Sequence, residues 1–203
     1  EVKKIEKTLV DNGFSVKAYL GSKGNAESFV ALDGKSPSIV HIATHGFYYT
    51  PDEAKDKDFL RGYTDAMSLS GLVFAGGNAA WLGKMNVDGV LGGVLTAKDI
   101  ANLDFKGTDL LVLSACKTGQ GKVTAEGVFG LQRAFKKAGV GTIIMSLWNV
   151  DDKVTSEFMI AFYEQLTDKA NNWNKRKAFE QTKEIIRKEH PDPYYWAAFV
   201  MLD

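Results

Sequence analysis

Two side chains in this chain of 203 residues have the chemistry of a nucleophile and a base, and they sit in matching surroundings. Cys116 is the single cysteine. It follows the apolar run LLVL at residues 110–113, which has no helical period and reads as a buried strand of a parallel sheet. Small residues, Ser114 and Ala115, come next, and Thr118-Gly119-Gln120-Gly121 reads as a turn. That places Cys116 at the C-terminal edge of a central strand, where open α/β sheets hold their ligands. Position alone leaves room for a plainer role, because a free cysteine often serves as a small hydrophobe. A second strand of the same shape favours chemistry. Residues 38–44, SIVHIAT, are β-branched and apolar and end at His45-Gly46. A Cys and a His at the same end of two neighbouring strands form a nucleophile–base pair. The imidazole takes the thiol proton, and the resulting ion pair favours the reactive thiolate. Gly46 suits an oxyanion donor, since without a side chain its N–H is open to a substrate carbonyl.

ATHG followed by LLVLSACKTG resembles the CHAT domain of the caspase–separase group, the clan CD cysteine peptidases. The similarity runs on through AEGVFGLQRAF, AGVGTIIMSLWNVDD and YYWAAFVML, from about residue 1 to residue 202. The resemblance implies a caspase-like three-layer sandwich with a mostly parallel central sheet covered by helices on both faces. It implies a cysteine endopeptidase that cleaves a dedicated protein target without a cofactor. His45 would be the general base and Cys116 the nucleophile, with the backbone N–H groups of Gly46 and Cys116 binding the oxyanion. A helical-repeat or sensor region on the N-terminal side is the expected partner. Lys117 departs from the pattern, since an acidic residue more often follows the cysteine in this family, and the departure bears on substrate preference.

Asp151 and Asp152 follow the apolar run at residues 142–148. Their plain role is helix capping, with Asp152 just ahead of a helix starting at Lys153. Resemblance to the separases implies a sharper one. There an acidic residue in a similar segment after a tryptophan selects a basic P1 residue, so Asp151 or Asp152 would favour Arg or Lys at P1. Other motifs fail. His41 and His45 are four apart in a strand, roughly 13 Å, too far for one metal. GQGKVT lacks the glycine and the Ser/Thr that a phosphate loop needs, and no G-x-S-x-G elbow is present. His190, beside Pro191 and Pro193, reads as a surface turn. The rival readings are a non-catalytic interaction module of the same fold and another cysteine-dependent hydrolase or transferase.

Around these residues the pattern alternates strands and helices. Residues 1–12 carry Val2, Ile5 and Leu9 on one helical face. Residues 14–20 alternate as a strand. Asn25 caps a helix over 26–32. The order β-α-β predicts a parallel pair with a right-handed crossover. Residues 47–68 read as a long irregular segment with a charged stretch at 52–58, able to act as a lid or binding wall. Residues 69–75 form a strand, 76–93 a Gly- and Asn-rich loop with Trp81, and 95–103 a short helix capped by Thr96. Helices follow over 124–138 (Val128, Leu131, Phe135 and Ala138 inward), 153–166 (Val154, Phe158, Phe162 and Leu166) and 175–188 (Ala178, Thr182 and Ile185). A last strand spans 195–202. This is an α/β fold with a mostly parallel sheet.

Composition sets the outer bounds. The length suits one domain over 1–203, and 45% hydrophobic content supplies a core. Lysine plus arginine and aspartate plus glutamate both number 25, so nothing favours a nucleic-acid or membrane surface. One cysteine cannot form an internal disulfide, which points to a reducing, cytoplasmic setting. The first residue is Glu1 rather than Met, which fits a domain excised from a longer protein or a matured product.

Overall fold

A computed structural model describes residues 1–57, 60, 62–78, 93–114 and 125–203, with side chains left out at 125–129. In chain order its elements are α1 (Val2–Asp11), α2 (Ala26–Val30), β1 (Ile39–Ile42), β2 (His45–Tyr48), α3 (Pro51–Ala54), β3 (Ser70–Val73), β4 (Val94–Thr96) and α4 (Ala97–Ile100). Then come β5 (Leu110–Leu113), α5 (Ala125–Lys137), β6 (Thr142–Ser146), α6 (Asp152–Thr167), α7 (Lys175–Glu189), α8 (Pro193–Trp196) and β7 (Phe199–Leu202). The fold is mixed α/β with a mostly parallel sheet. The residues group into two compact units, one of Glu1–Ala18 with Ile144–Leu202, the other of Tyr19–Ile143 with Asp203.

The Tyr19–Ile143 unit contains the expected parallel pair. β1 lies beside β5, with Ile39 opposite Leu110 and Ile42 opposite Leu113. All four residues of β5 are buried, which is why the run is apolar without alternation. Thr142 extends the pattern by donating its N–H to Asp109 O at 2.8 Å. Phe29 of α2 packs on Phe105 and Phe135, with ring centroids 5.1 and 6.3 Å away. Asn25 caps α2 through Ser28 N–H as expected, though the helix is shorter than 26–32.

The same unit holds a sheet the sequence does not announce. β2, β3 and β4 form a three-stranded antiparallel sheet in that order. The expected irregular segment 47–68 therefore begins as strand. It continues into α3, whose N-terminus is closed by a reciprocal capping box between Thr50 and Glu53. Phe47, Tyr49, Ala54, Leu60, Leu69 and Val94 pack as one cluster. The described part of this segment is thus anchored by its own apolar side chains, which argues against a free lid. Burial, reinforced by Glu53, pushes the Tyr49 phenol up to about 12, so it stays neutral. Thr96 caps α4 as expected, again with a capping box, here to Asp99.

In the other unit α6 buries Val154, Phe158, Phe162 and Leu166, the face the periodicity gives. α7 buries Ala178, Thr182 and Ile186, with Phe179. Ile185, expected inward, is only half-buried, because the buried face follows the i, i+4, i+8 line through Ile186. Phe158 stacks on Phe199 of β7 at 3.9 Å. Two expectations fail here. Residues 14–18 do alternate in exposure, but no strand is assigned there, because an extended segment becomes a strand only beside a ladder partner. Residues 195–202 are not one strand. Asp192 caps α8 and Pro193 opens it, so the proline starts a helical turn. Of the expected loop at 76–93, residues 79–92, with Trp81, lie outside the described residues.

Candidate active site

The parallel register fixes where the two chemical segments leave the sheet. Ile42 and Leu113 are partners, and Ser114 N–H donates to Ile42 O at 2.9 Å, so β1 and β5 end together. His45 stands three residues beyond Ile42 in sequence, and Cys116 three beyond Leu113. Cys116 and Lys117 lie outside the described residues, and so does the expected His45–Cys116 separation.

His45 does not simply trail off the end of β1. The chain passes Ala43 and Thr44 and enters the antiparallel sheet, with His45 as the first residue of β2, paired with Val73 of β3. His45 is exposed, while Gly46, Phe47 and Tyr48 behind it are buried. An imidazole on a strand backed by buried residues is accessible and held, which is what a general base requires. The Thr44 hydroxyl donates to Val73 O, the carbonyl of the residue opposite His45.

Register also decides which way the Gly46 amide faces. Tyr49 N–H donates to Leu69 O at 2.9 Å, one step past the pair Tyr48–Ser70. In an antiparallel pair the inward-facing amides alternate along the strand. Residues 49, 47 and 45 therefore turn their amides toward β3, and Gly46 turns its own away from it. Because β2 is an outer strand of this sheet among the described residues, the Gly46 N–H faces the side away from β3. That is the orientation an oxyanion donor needs.

Asp151 and Asp152 belong to the other unit. The cap is Asp151, whose carboxylate accepts from Lys153 N–H and Val154 N–H at 2.9 and 3.4 Å. Asp152, expected as the cap, is instead the first helical residue of α6. Both are exposed. His41 lies within β1, half-buried opposite Val112, and so sits in a different sheet from His45. His190 is more than a surface turn. Its Nε2 lies 2.9 Å from Glu157 Oε2, and Glu189 brings a third ligand atom within 4.8 Å of both. Lys153 stands 3.8 Å from the other Glu157 oxygen. Sequence reading missed this pair because Glu157 and His190 are brought together only by the packing of α6 on α7. It also missed Thr44, whose only signal is a hydroxyl beside the His in ATHG.

The family model described as CHAT domain matches residues 1–203, the whole chain. Tetratricopeptide repeat protein 28 of Homo sapiens is 32% identical over 111 residues, 54% of this chain and 4% of that protein. The Mus musculus protein of the same name is 31% identical over 111 residues, with the same shares. The chain thus spans a small part of the length of the curated relatives it matches. No helix among the described residues is long and apolar enough to cross a membrane.

Proposed function

The chain belongs to the CHAT domain family, and from that premise we propose that it is a cysteine endopeptidase with a His45–Cys116 dyad. The reading takes residues 1–203 as one caspase-like domain of three layers, cytoplasmic and cofactor-free. It acts behind a helical-repeat region, in keeping with the relatives' name. The observation that supports it is the β1–β5 register, which ends the strands leading toward His45 and Cys116 at the same edge of a parallel sheet.

In this mechanism the Cys116 thiol gives its proton to His45, and the thiolate sulfur attacks the scissile carbonyl carbon. The backbone N–H groups of Gly46 and Cys116 receive the charge that develops on oxygen. The tetrahedral adduct collapses with cleavage of the C–N bond, and the leaving amine takes the proton from His45. Water, deprotonated by His45, then hydrolyses the thioester, releasing the acid and returning the thiol. A carboxylate at Asp151 or Asp152 favours Arg or Lys at P1, with Arg able to form two hydrogen bonds to it. For Asp151 the capping bonds to Lys153 and Val154 compete for the same carboxylate.

The test is a positional scanning peptide library. Wild type should cleave after Arg or Lys, and Cys116→Ala and His45→Ala should each lower turnover by about a thousandfold or more, with near-native thermal midpoints. Normal turnover in Cys116→Ala ends the peptidase reading. A basic P1 preference that survives both Asp151→Ala and Asp152→Ala leaves those carboxylates as helix-terminal groups only.

A further inference from the structure

The link between the two sheets is only two residues long. β1 ends at Ile42 and β2 begins at His45, so Ala43 and Thr44 carry the chain from the parallel pair to the antiparallel sheet. A residue that opens a strand just after such a crossing has ladder support on one side only. The described contacts show what supplies the rest. The half-buried Thr44 hydroxyl donates to Val73 O. By the alternation described above, the His45 amide faces the same carbonyl. Two donors from consecutive residues thus converge on one acceptor, at the point where the imidazole leaves the backbone.

That acceptor sits on a strand with little room to shift. Leu72, next to Val73, is fully buried. At Gly71 even a Cβ would lie 2.2 Å from Leu95 O and 2.8 Å from the Phe47 ring, so β3 is packed against both flanking strands. Just beyond Val73, Phe74 N–H donates to Gly93 O at 2.6 Å.

We propose that Thr44 is a positioning residue for His45, its hydroxyl fixing the imidazole's backbone origin against the Val73 carbonyl. The proposal rests on the His45–Cys116 reading. In this proposal Thr44 acts through His45 rather than on the substrate or the thiol. It acts by narrowing the range of backbone angles at residues 44 and 45, and so the range of places the imidazole occupies. Small displacements of a base from its proton donor are costly to rate.

Because Cys116 is the single cysteine, iodoacetamide alkylation of the intact chain reports on that thiol alone. The rate would be followed against pH for wild type, Thr44→Val, Thr44→Ser, Thr44→Ala and His45→Ala, with thermal midpoints alongside. Valine keeps the shape of threonine and removes the hydroxyl, while serine keeps the hydroxyl. Wild type and Thr44→Ser should share a rate profile extending to low pH. Thr44→Val and Thr44→Ala should react about tenfold more slowly near neutrality, with the profile moved to higher pH. If Thr44→Val fails to fold, the Ser and Ala variants still isolate the hydroxyl. Slowing in His45→Ala together with a wild-type profile in Val and Ala overturns the role of Thr44 and leaves the dyad standing. A wild-type profile in His45→Ala overturns the dyad and this proposal with it. Slowing in Val and Ala that follows the thermal midpoints, with no displacement along pH, makes the hydroxyl structural only and overturns the positioning role.

Discussion

The parallel pair β1–β5 and the antiparallel sheet β2–β3–β4 follow one another along the chain but hold their strands by different means. In β5 every residue is buried and aliphatic, and neighbours are chosen by apolar area alone. In the antiparallel sheet the contacts are individual. Gly71 lets Leu95 O and the Phe47 ring approach, Thr44 ties the sheet's first residue to Val73 O, and Thr96 turns the chain directly from β4 into a capped helix. The first arrangement tolerates many aliphatic sequences. The second depends on particular atoms, and His45 belongs to it. The proposed base, which must be aimed, is better served by the second.

Substitutions separate the two. Leu111→Ala removes a fully buried side chain from the middle of β5. It should cost about 3 kcal/mol of unfolding free energy in a denaturant titration, through lost burial and the cavity left behind. Cys116 alkylation measured below the transition should change little. Gly71→Ala should cost about 2 kcal/mol, since the added methyl must displace both the Leu95 carbonyl and the Phe47 ring. Its alkylation rate at neutral pH should fall further than that of Leu111→Ala. Equal loss of reactivity per unit of lost stability in the two variants would erase the distinction.

The smallest effect concerns the turn that feeds β3. Asp65 accepts from Ser68 N–H at 3.0 Å. Hydrogen bonding from Ser68 holds its carboxyl below the usual aspartate range, with a minor favourable contribution from Lys98 and some opposition from desolvation. A carboxyl depressed by folding stabilises above its unfolded value and loses that contribution as pH falls through its folded value. Asp65→Asn should therefore flatten the thermal midpoint slightly from about pH 6 down to about pH 2. Because Asp65 is exposed, the change should be well below that of Gly71→Ala. A midpoint with the same acid slope in Asp65→Asn removes the turn from the account.

Legibility in the sequence follows the same division. LLVL and SIVHIAT announce buried parallel strands because burial on both faces leaves an unbroken apolar run. α6 is legible because Val154, Phe158, Phe162 and Leu166 recur at helical spacing. The caps at Asn25 and Thr96 are local chemistry and are read without tertiary information. By contrast, HGFY and VLT are too short to show a period, while SGLV was legible as part of the strand at 69–75 but its antiparallel partners were not. What makes them strands is one another. For the candidate site, His45 and Gly46 were legible as residue types. That they open a second sheet was not, and neither was the anchoring of Thr44 on Val73, a carbonyl 29 residues further along. Asp151 and Asp152 exchanged the role of cap because a helix start is uncertain by a residue from sequence alone.

The register of β1 with β5 also has a kinetic side. Pairing Ile39 with Leu110 closes about seventy residues of chain, and the entropy of such a closure must be met before any contact rewards it. The pairings within β2, β3 and β4 join segments much closer in sequence. We expect the antiparallel sheet to gain protection from hydrogen exchange early in refolding, with the Leu110–Leu113 amides following. A chain folding in that order completes the scaffold of the base before the strand that leads to the thiol is in place. The proposed protease would then stay inert until the last long-range pairing forms, and pulse-labelling of the two sets of amides would time that step.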